Sequence, residues 1–225
     1  MLTGGWKKQF RQNVADPDAK IYAIEQVKRP VSCGVAVDYH LPFPLREHGD
    51  VDALDKRMEV DQEKIGVFQY NGEQVYAEAL RPFDYQLKEL RTIRRMLKRS
   101  PFLSPESLFV EKLATQASRP KDAVDMYALL AYLDMDLGRI AKICKDMPLF
   151  YASIDAFINR INSENLIAED FNSASYHDFY SEIINPRTGR VFEAPHSLLE
   201  KVKNSAEEIR GKVHALRYSH GCFPG

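Results

Sequence analysis

Residues 136–167 read DLGRIAKICKDMPLFYASIDAFINRINSENLI, and this stretch decides how the rest of the chain is interpreted. A short amphipathic helix is predicted first, because apolar or small residues recur at positions i, i+3, i+4 and i+7. These residues are Leu137, Ile140, Ala141 and Cys144. Pro148 ends the pattern. A second helix then carries four apolar residues on one face, at Ile154, Phe157, Ile158 and Ile161. Two helices joined by a turn predict a helix-turn-helix.

The same stretch resembles the helix-turn-helix of MarR-like winged-helix regulators. In that family a small residue of the first helix faces the second helix, and Ala141 stands at that position here. The family's second helix ends in Arg-apolar-x-x-Glu-x-Leu-Ile, which matches residues 160–167. The resemblance covers about residues 104–217 and does not include the first eighty residues. It implies a winged-helix domain whose second helix enters the major groove of DNA.

The resemblance also implies a β-hairpin wing after the second helix. Residues 183–192, IINPRTGRVF, place a Pro/Gly turn with two arginines between apolar flanks, which favours a wing over a helix continuing from Tyr176. In the major groove, asparagine pairs with adenine and arginine with guanine. The candidate DNA-binding residues are Tyr151, Ser153, Asn159, Arg160, Arg187 and Arg190. On helical phase, Ile158 is expected in the core and Asn159 outside. The alternative is a helical hairpin that only packs a core.

A heptad seam is predicted near the C-terminus, because six apolar residues follow spacings of 3, 4, 3, 4 and 3. They are Leu199, Val202, Ala206, Ile209, Val213 and Leu216. Such a seam packs either on a second subunit or on the protein's own core. MarR-like regulators dimerise through terminal helices, so the resemblance implies a homodimer that reads a pseudo-palindromic site.

The first 82 residues predict a smaller β-containing region. A polar helix is expected from Trp6 to Val14, and strands are expected at Ile21–Val27 and Val31–Tyr39, which contain β-branched and aromatic residues. Asn71-Gly72 lies between two alternating apolar runs and predicts a type I′ hairpin. This region is a candidate sensor or partner-binding element.

Helices are also predicted between residue 82 and the start of the helix-turn-helix at residue 136. One spans Phe83 to Arg99, a second opens at Ser104-Pro105, where a hydroxyl cap precedes a proline, and a third follows Pro120. The run of basic residues at positions 88–99 is either a phosphate-contacting face or a solvated one.

Composition narrows the function classes. Lys+Arg number 31 and Asp+Glu 32, and this balance does not favour a protein that coats nucleic acid without sequence preference. No signal peptide, transmembrane stretch or Cys-x-x-Cys pair is seen, so a reduced, cytoplasmic protein is expected. No His-Glu-x-x-His pair or phosphate loop is present, so neither metal nor cofactor is expected. The weak metal alternative is the set Cys33, His40 and His48.

The sequence as a whole predicts an α+β chain. A β-containing N-terminal region, 1–82, precedes a mostly helical winged-helix domain, 83–225, that carries the dimerisation helix. The expected function is sequence-specific transcriptional regulation as a homodimer on double-stranded DNA, with a small molecule or protein as effector and no enzymatic activity. The alternatives are an adaptor that uses the winged helix for protein contacts and an enzyme without a readable motif.

Overall fold

The computed structural model describes residues 5–58, 62–87, 100–117 and 119–219. It has a mixed α+β fold, as the sequence predicts. The chain divides into two compact units, the first of Met1–Ser104 with Ile184–Arg190 and the second of Pro105–Ile183 with Val191–Gly225. The boundary that the sequence suggested, after residue 82, therefore falls inside the first unit.

Three helices open the first unit. They are α1 (Gly5–Asn13), α2 (Pro17–Val27) and α3 (Cys33–His40). The strands predicted at Ile21–Val27 and Val31–Tyr39 are wrong, because helices occupy most of both stretches. Pro17 stands at the start of α2, where its missing N–H costs nothing. All residues of α3 except the last are buried, so its apolar run carries no periodicity that separates helix from strand.

A three-stranded sheet completes the first unit. Its strands are β1 (Asp50–Leu54), β2 (Gln62–Tyr70) and β3 (Glu73–Leu80), in the order β1-β3-β2. β1 runs parallel to β3, and β2 runs antiparallel to it. The predicted hairpin at Asn71-Gly72 is confirmed, with φ angles of 51° and 88° that match the positive values a type I′ turn requires.

One face of this sheet is covered by helix. Val51, Val75 and Ala77 point to that face and are buried, and Tyr22 of α2 packs there against Phe68. Because successive side chains alternate between faces, the intervening residues share the opposite side. We call this opposite side the open face; it carries Asp50, Asp52, Lys64, Val67, Tyr76 and Glu78.

The second unit is helical. Its helices are α4 (Pro105–Thr115), α5 (Lys121–Tyr132), α6 (Leu137–Cys144), α7 (Phe150–Asn162), α8 (Glu164–Phe171) and α9 (Leu199–Tyr218), with a 3-10 helix at Pro195–Leu198. The Asp136 side chain caps α6 by accepting a hydrogen bond from the backbone N–H of Arg139. Both helices of the predicted helix-turn-helix therefore form, as α6 and α7.

A short hairpin interrupts this unit. Strands β4 (Ile183–Ile184) and β5 (Val191–Phe192) pair as predicted, and no helix extends from Tyr176 to them. The tip of the hairpin, however, is part of the first unit. The buried Asn185 amide donates hydrogen bonds to the carbonyls of Gln12, at 3.0 Å, and Pro42, at 2.8 Å. The tip is thus held by packing rather than projecting as a wing.

The heptad seam of α9 is filled within the chain. Five of its residues are buried, namely Leu199, Val202, Ala206, Ile209 and Val213, and Leu216 is half-buried. α9 packs on α5, α6 and α7 of its own unit. Of the two alternatives for this seam, the structure therefore shows packing on the protein's own core.

Part of the prediction for the middle of the chain lies outside the described residues. The helix expected at Phe83–Arg99 is described as helical at residues 84–87, and the basic run at 88–99 is not among the described residues. Among the described helices, none combines the length and apolar character needed to cross a bilayer.

Candidate functional site

Three carboxylates meet on the open face of the sheet. Asp50 and Asp52 are two residues apart on β1, so both side chains point to the same side. Glu78 on β3 is the direct register partner of Asp52. One oxygen from each of the three carboxylates lies within 4.8 Å of the others. We call these three residues the acidic cluster.

The acidic cluster is electrostatically unfavourable as a purely structural arrangement, because like charges directly opposite each other on adjacent strands destabilise a sheet. The Gln62 amide donates a hydrogen bond to Glu78, and Lys64, the register partner of Glu78, brings one positive charge to the same face as the three carboxylates. Carboxylate oxygens at this spacing are the ligands that Mg²⁺ and Ca²⁺ prefer. The cluster therefore has the chemistry to hold a divalent cation.

The first turn of α3 begins beside the acidic cluster. The backbone N–H of Ser32 donates to the carbonyl of Asp52 at 2.9 Å, and Val31 forms an antiparallel bridge with Ala53. Cys33 follows with φ of 58°, a left-handed conformation that costs about 1–2 kcal/mol for a residue with a side chain. The N-terminus of a helix carries a partial positive charge that favours anions. This turn is therefore suited to a negatively charged group next to β1.

Two basic side chains pack against the same turn. A Cβ at Gly34 would lie 2.5 Å from Cε1 of His48 and 2.7 Å from Nη2 of Arg46. Glycine is thus required at this position for Arg46 and His48 to approach the backbone so closely. Arg46 and His48 therefore both pack against the first turn of α3.

A buried aspartate holds the segment that leads into β1. Oδ2 of Asp38 accepts a hydrogen bond from the backbone N–H of Leu45 at 3.2 Å and lies 3.1 Å from Nε2 of His48. The side chains of Asp38 and His48 are 1% and 5% exposed. Asp38 therefore fixes His48, two residues before Asp50, against α3.

The metal alternative from the sequence, Cys33 with His40 and His48, does not assemble. His40 is the last residue of α3, and its Nε2 lies 2.7 Å from the carbonyl oxygen of Leu103. Cys33 is the first residue of the same helix. A rise of seven positions along the helix puts Cys33 and His40 about 10 Å apart. His40 is therefore too far from Cys33 to share a metal ion with it.

Three of the predicted DNA-binding residues of α7 make contacts within the helical unit. The Tyr151 hydroxyl is buried, and the guanidinium carbon of Arg217 lies 5.1 Å from the Tyr151 ring centre. The carbonyl of Ser153 accepts a hydrogen bond from the Gln116 amide at 2.6 Å. Arg160 forms an ion pair with Asp170. These contacts stabilise the helical unit.

Helical phase along α7 follows the sequence prediction with one exception. Asn159 is exposed, as expected, while Ile158 is half-buried rather than in the core. Ile154, Phe157 and Ile161 fill the core face. The apolar stripe of α7 is thus narrower than the sequence suggested.

The two arginines of the hairpin tip belong to the first unit, whereas α7 belongs to the second. The Arg187 side chain donates to the carbonyl of Arg11, and its backbone N–H donates to Oδ1 of Asn185 at 2.9 Å. The backbone N–H of Arg190 lies 3.4 Å from the Thr188 hydroxyl. No single unit therefore contains all six predicted DNA-binding residues.

Sequence reasoning missed the acidic cluster. A signal was present, since residues 50–53 alternate acid and apolar residues and Glu78 stands between two alanines. The sequence does not show that these two short segments pair.

Comparisons with protein-family models, curated proteins and solved structures give no significant match.

Proposed function

We propose that the acidic cluster binds a divalent cation, Mg²⁺ or Mn²⁺, and that the protein uses it to transfer a phosphoryl or nucleotidyl group from a nucleoside triphosphate. The observation that carries this proposal is the convergence of Asp50, Asp52 and Glu78 within 4.8 Å on two adjacent parallel strands. Mg²⁺ typically takes a few carboxylates and fills its remaining positions with water and substrate phosphates. The acids are only partly buried, which leaves room for such ligands.

A cation held by Asp50, Asp52 and Glu78 would offset their negative charge and would supply positive charge to a transferring phosphate. The protein supplies the second half of the phosphate site through the first turn of α3. Backbone N–H groups at a helix N-terminus bind phosphate oxygens, and Arg46 adds a guanidinium whose fork matches phosphate geometry. The hydrogen bond from Ser32 to Asp52 holds this turn beside β1.

The proposal makes the chain an enzyme, in contrast to the regulator expected from the sequence. Its substrate class follows from two kinds of group in the first unit. A cation held by carboxylates and a basic helix turn suit a polyphosphate that bridges them.

Mn²⁺ binding tests the metal site directly. Electron paramagnetic resonance of free Mn²⁺ should show binding to the wild type and at least a tenfold loss of affinity in Asp50→Asn, Asp52→Asn and Glu78→Gln. Glu63→Gln is the matched control, because Glu63 pairs with Ala79 and points to the other face of the sheet. Equal Mn²⁺ binding by the wild type and Asp52→Asn would remove the basis of the proposal.

The reaction is tested with ATP labelled at the α- or the γ-phosphate, in Mg²⁺, with RNA, DNA and the protein itself as acceptors. Label transferred from the α-position indicates nucleotidyl transfer, and label from the γ-position indicates phosphoryl transfer. Transfer should disappear in Asp52→Asn and persist in Glu63→Gln. Transfer that is insensitive to chelation of the metal would contradict the mechanism.

A second candidate is sequence-specific binding of duplex DNA by the helix-turn-helix of α6 and α7 in the helical unit, the element that carries the MarR-like resemblance. The observation in its favour is that α6 and α7 form at the predicted positions, with Ala141 buried and Asn159 exposed. Selection from a random duplex pool tests it, and Asn159→Ala should lower affinity without changing the melting temperature. A folded protein that retains no duplex at low salt would exclude this function.

A further inference from the structure

Two large apolar side chains are exposed beside the acidic cluster. Tyr76 is 41% exposed and Val67 is 44% exposed. They are cross-strand partners on β3 and β2, and Tyr76 is also the register partner of Asp50. An aromatic ring and an aliphatic side chain thus form a continuous apolar surface that borders the carboxylates.

The aromatic contacts between the sheet and α2 lie on the other face of the sheet. The aromatic residues of β2 that pack on α2 are Phe68 and Tyr70, whose rings lie 6.5 Å and 5.6 Å from that of Tyr22. Both point to the covered face of the sheet. Tyr76 points the other way, onto the face that carries the acidic cluster.

A lysine connects the apolar surface to the acidic cluster. Nζ of Lys64 lies 4.6 Å from the centre of the Tyr76 ring, and Lys64 is the register partner of Glu78. The pairing of β2 with β3 shifts directly after Lys64, and such bulges re-aim neighbouring side chains and are frequent near functional sites. One positive charge therefore lies over one face of the Tyr76 ring, on the residue that pairs with Glu78.

We propose that Tyr76, with Val67 beside it, is a stacking platform for the base of the nucleotide whose phosphates are held at the acidic cluster. The inference rests on the proposed function. Adjacent strands are about 4.8 Å apart, so Tyr76 lies next to Asp50. A nucleotide joins its base to its phosphates through one sugar, so a single molecule reaches both. Lys64 supplies positive charge to the phosphates at the border.

The occupant is a nucleotide base rather than a protein segment because of what surrounds the ring. A stacked base needs one aromatic face and a charged neighbour for its phosphates. Lys64 lies over one face of the Tyr76 ring and supplies the charge, and the other face of the ring is the one that the base would use. The apolar surface consists of two side chains, which is much smaller than a protein interface requires.

The test compares ATP with inorganic tripolyphosphate, which has the phosphates but no base. In the presence of Mn²⁺, calorimetry should show that the wild type binds ATP more tightly than tripolyphosphate. Tyr76→Ala should lower ATP affinity by about 5- to 100-fold, the usual range for one stacked base, and leave tripolyphosphate affinity unchanged. Tyr76→Phe should retain ATP affinity.

Tyr70→Ala is the matched control, because it removes the same side chain from the opposite face of the sheet. Equal affinity of the wild type for ATP and tripolyphosphate would overturn the platform and leave the metal site standing. An equal loss of ATP affinity in Tyr70→Ala and Tyr76→Ala would also overturn it. If the wild type binds no Mn²⁺, the proposed function and the platform both fail. Tyr76→Leu, which keeps apolar bulk, separates loss of stacking from loss of folding.

Discussion

Two groups of charged residues in this protein differ in where they lie and in what balances them. In the helical unit, Nζ of Lys112 lies 2.9 Å from Oδ1 of Asp122 and 2.9 Å from Oδ2 of Asp125. The Thr115 hydroxyl donates to Oδ2 of Asp122 at 2.6 Å. The three charged side chains are at most 1% exposed. On the open face of the sheet, by contrast, the acidic cluster consists of three partly exposed carboxylates.

The difference separates a group that stabilises the fold from the proposed metal site. Buried charges are tolerated only when opposite charges and hydrogen bonds compensate them, and the Lys112 group meets this condition. Carboxylates gathered on an accessible face lower stability, and such an arrangement is typical of sites that bind a cation. Removing charge from each group distinguishes the two roles.

The largest effect is expected at Lys112. Lys112→Met removes the cation that lies between two buried carboxylates, of which Asp122 still faces Arg119 at 3.5 Å, and this should lower the free energy of unfolding by about 3–5 kcal/mol. Urea denaturation measures the change. Lys142→Met, on the exposed side of α6, is the control and should have little effect. A loss below about 1 kcal/mol for Lys112→Met would show that the buried group is not a structural centre.

An intermediate effect is expected at alkaline pH from Cys144 in the helical unit. Burial raises the pKa of its thiol to about 12, although Arg217 acts in the opposite direction. Above pH 9 the unfolded chain loses this proton while the folded chain keeps it, so stability falls as pH rises toward 12. By pH 11 the loss amounts to about 2–3 kcal/mol.

Comparison with Cys144→Ala isolates this contribution. Between pH 9 and pH 11 the free energy of unfolding should fall less in the variant than in the wild type, because the variant lacks the buried thiol. A smaller decrease should remain in both proteins, since both contain Tyr127 and Tyr132. Burial also raises the pKa of these two tyrosines. The same pH dependence in both proteins would mean that the thiol ionises as readily in the folded state as in the unfolded state.

The smallest effect on stability is expected at the acidic cluster. Asp50→Asn removes one of three neighbouring negative charges and should raise the free energy of unfolding by up to about 0.5 kcal/mol in the absence of metal. Asp125→Asn, the same change in the buried group, should instead be clearly destabilising. Destabilisation of similar size in both variants would mean that the acidic cluster serves the fold.

The sequence by itself determined the elements whose signal is local. Asn71-Gly72 predicted its turn because both residues adopt positive φ, and the single apolar stripes of α6 and α9 predicted those helices. The hairpin at residues 183–192 was also readable from its turn residues. In each case the deciding interactions lie within a few residues of one another.

Tertiary structure decided the rest. α3 is buried on nearly every side, and an apolar run without periodicity fits a strand as well as a helix. The seam of α9 fits a partner subunit as well as its own unit, and only the presence of α5, α6 and α7 around it selects the latter. Asp52 and Glu78 are 26 positions apart in the sequence and become neighbours through parallel pairing of β1 with β3. Such pairing depends on how distant segments pack, so the amino-acid pattern of either strand alone does not contain it.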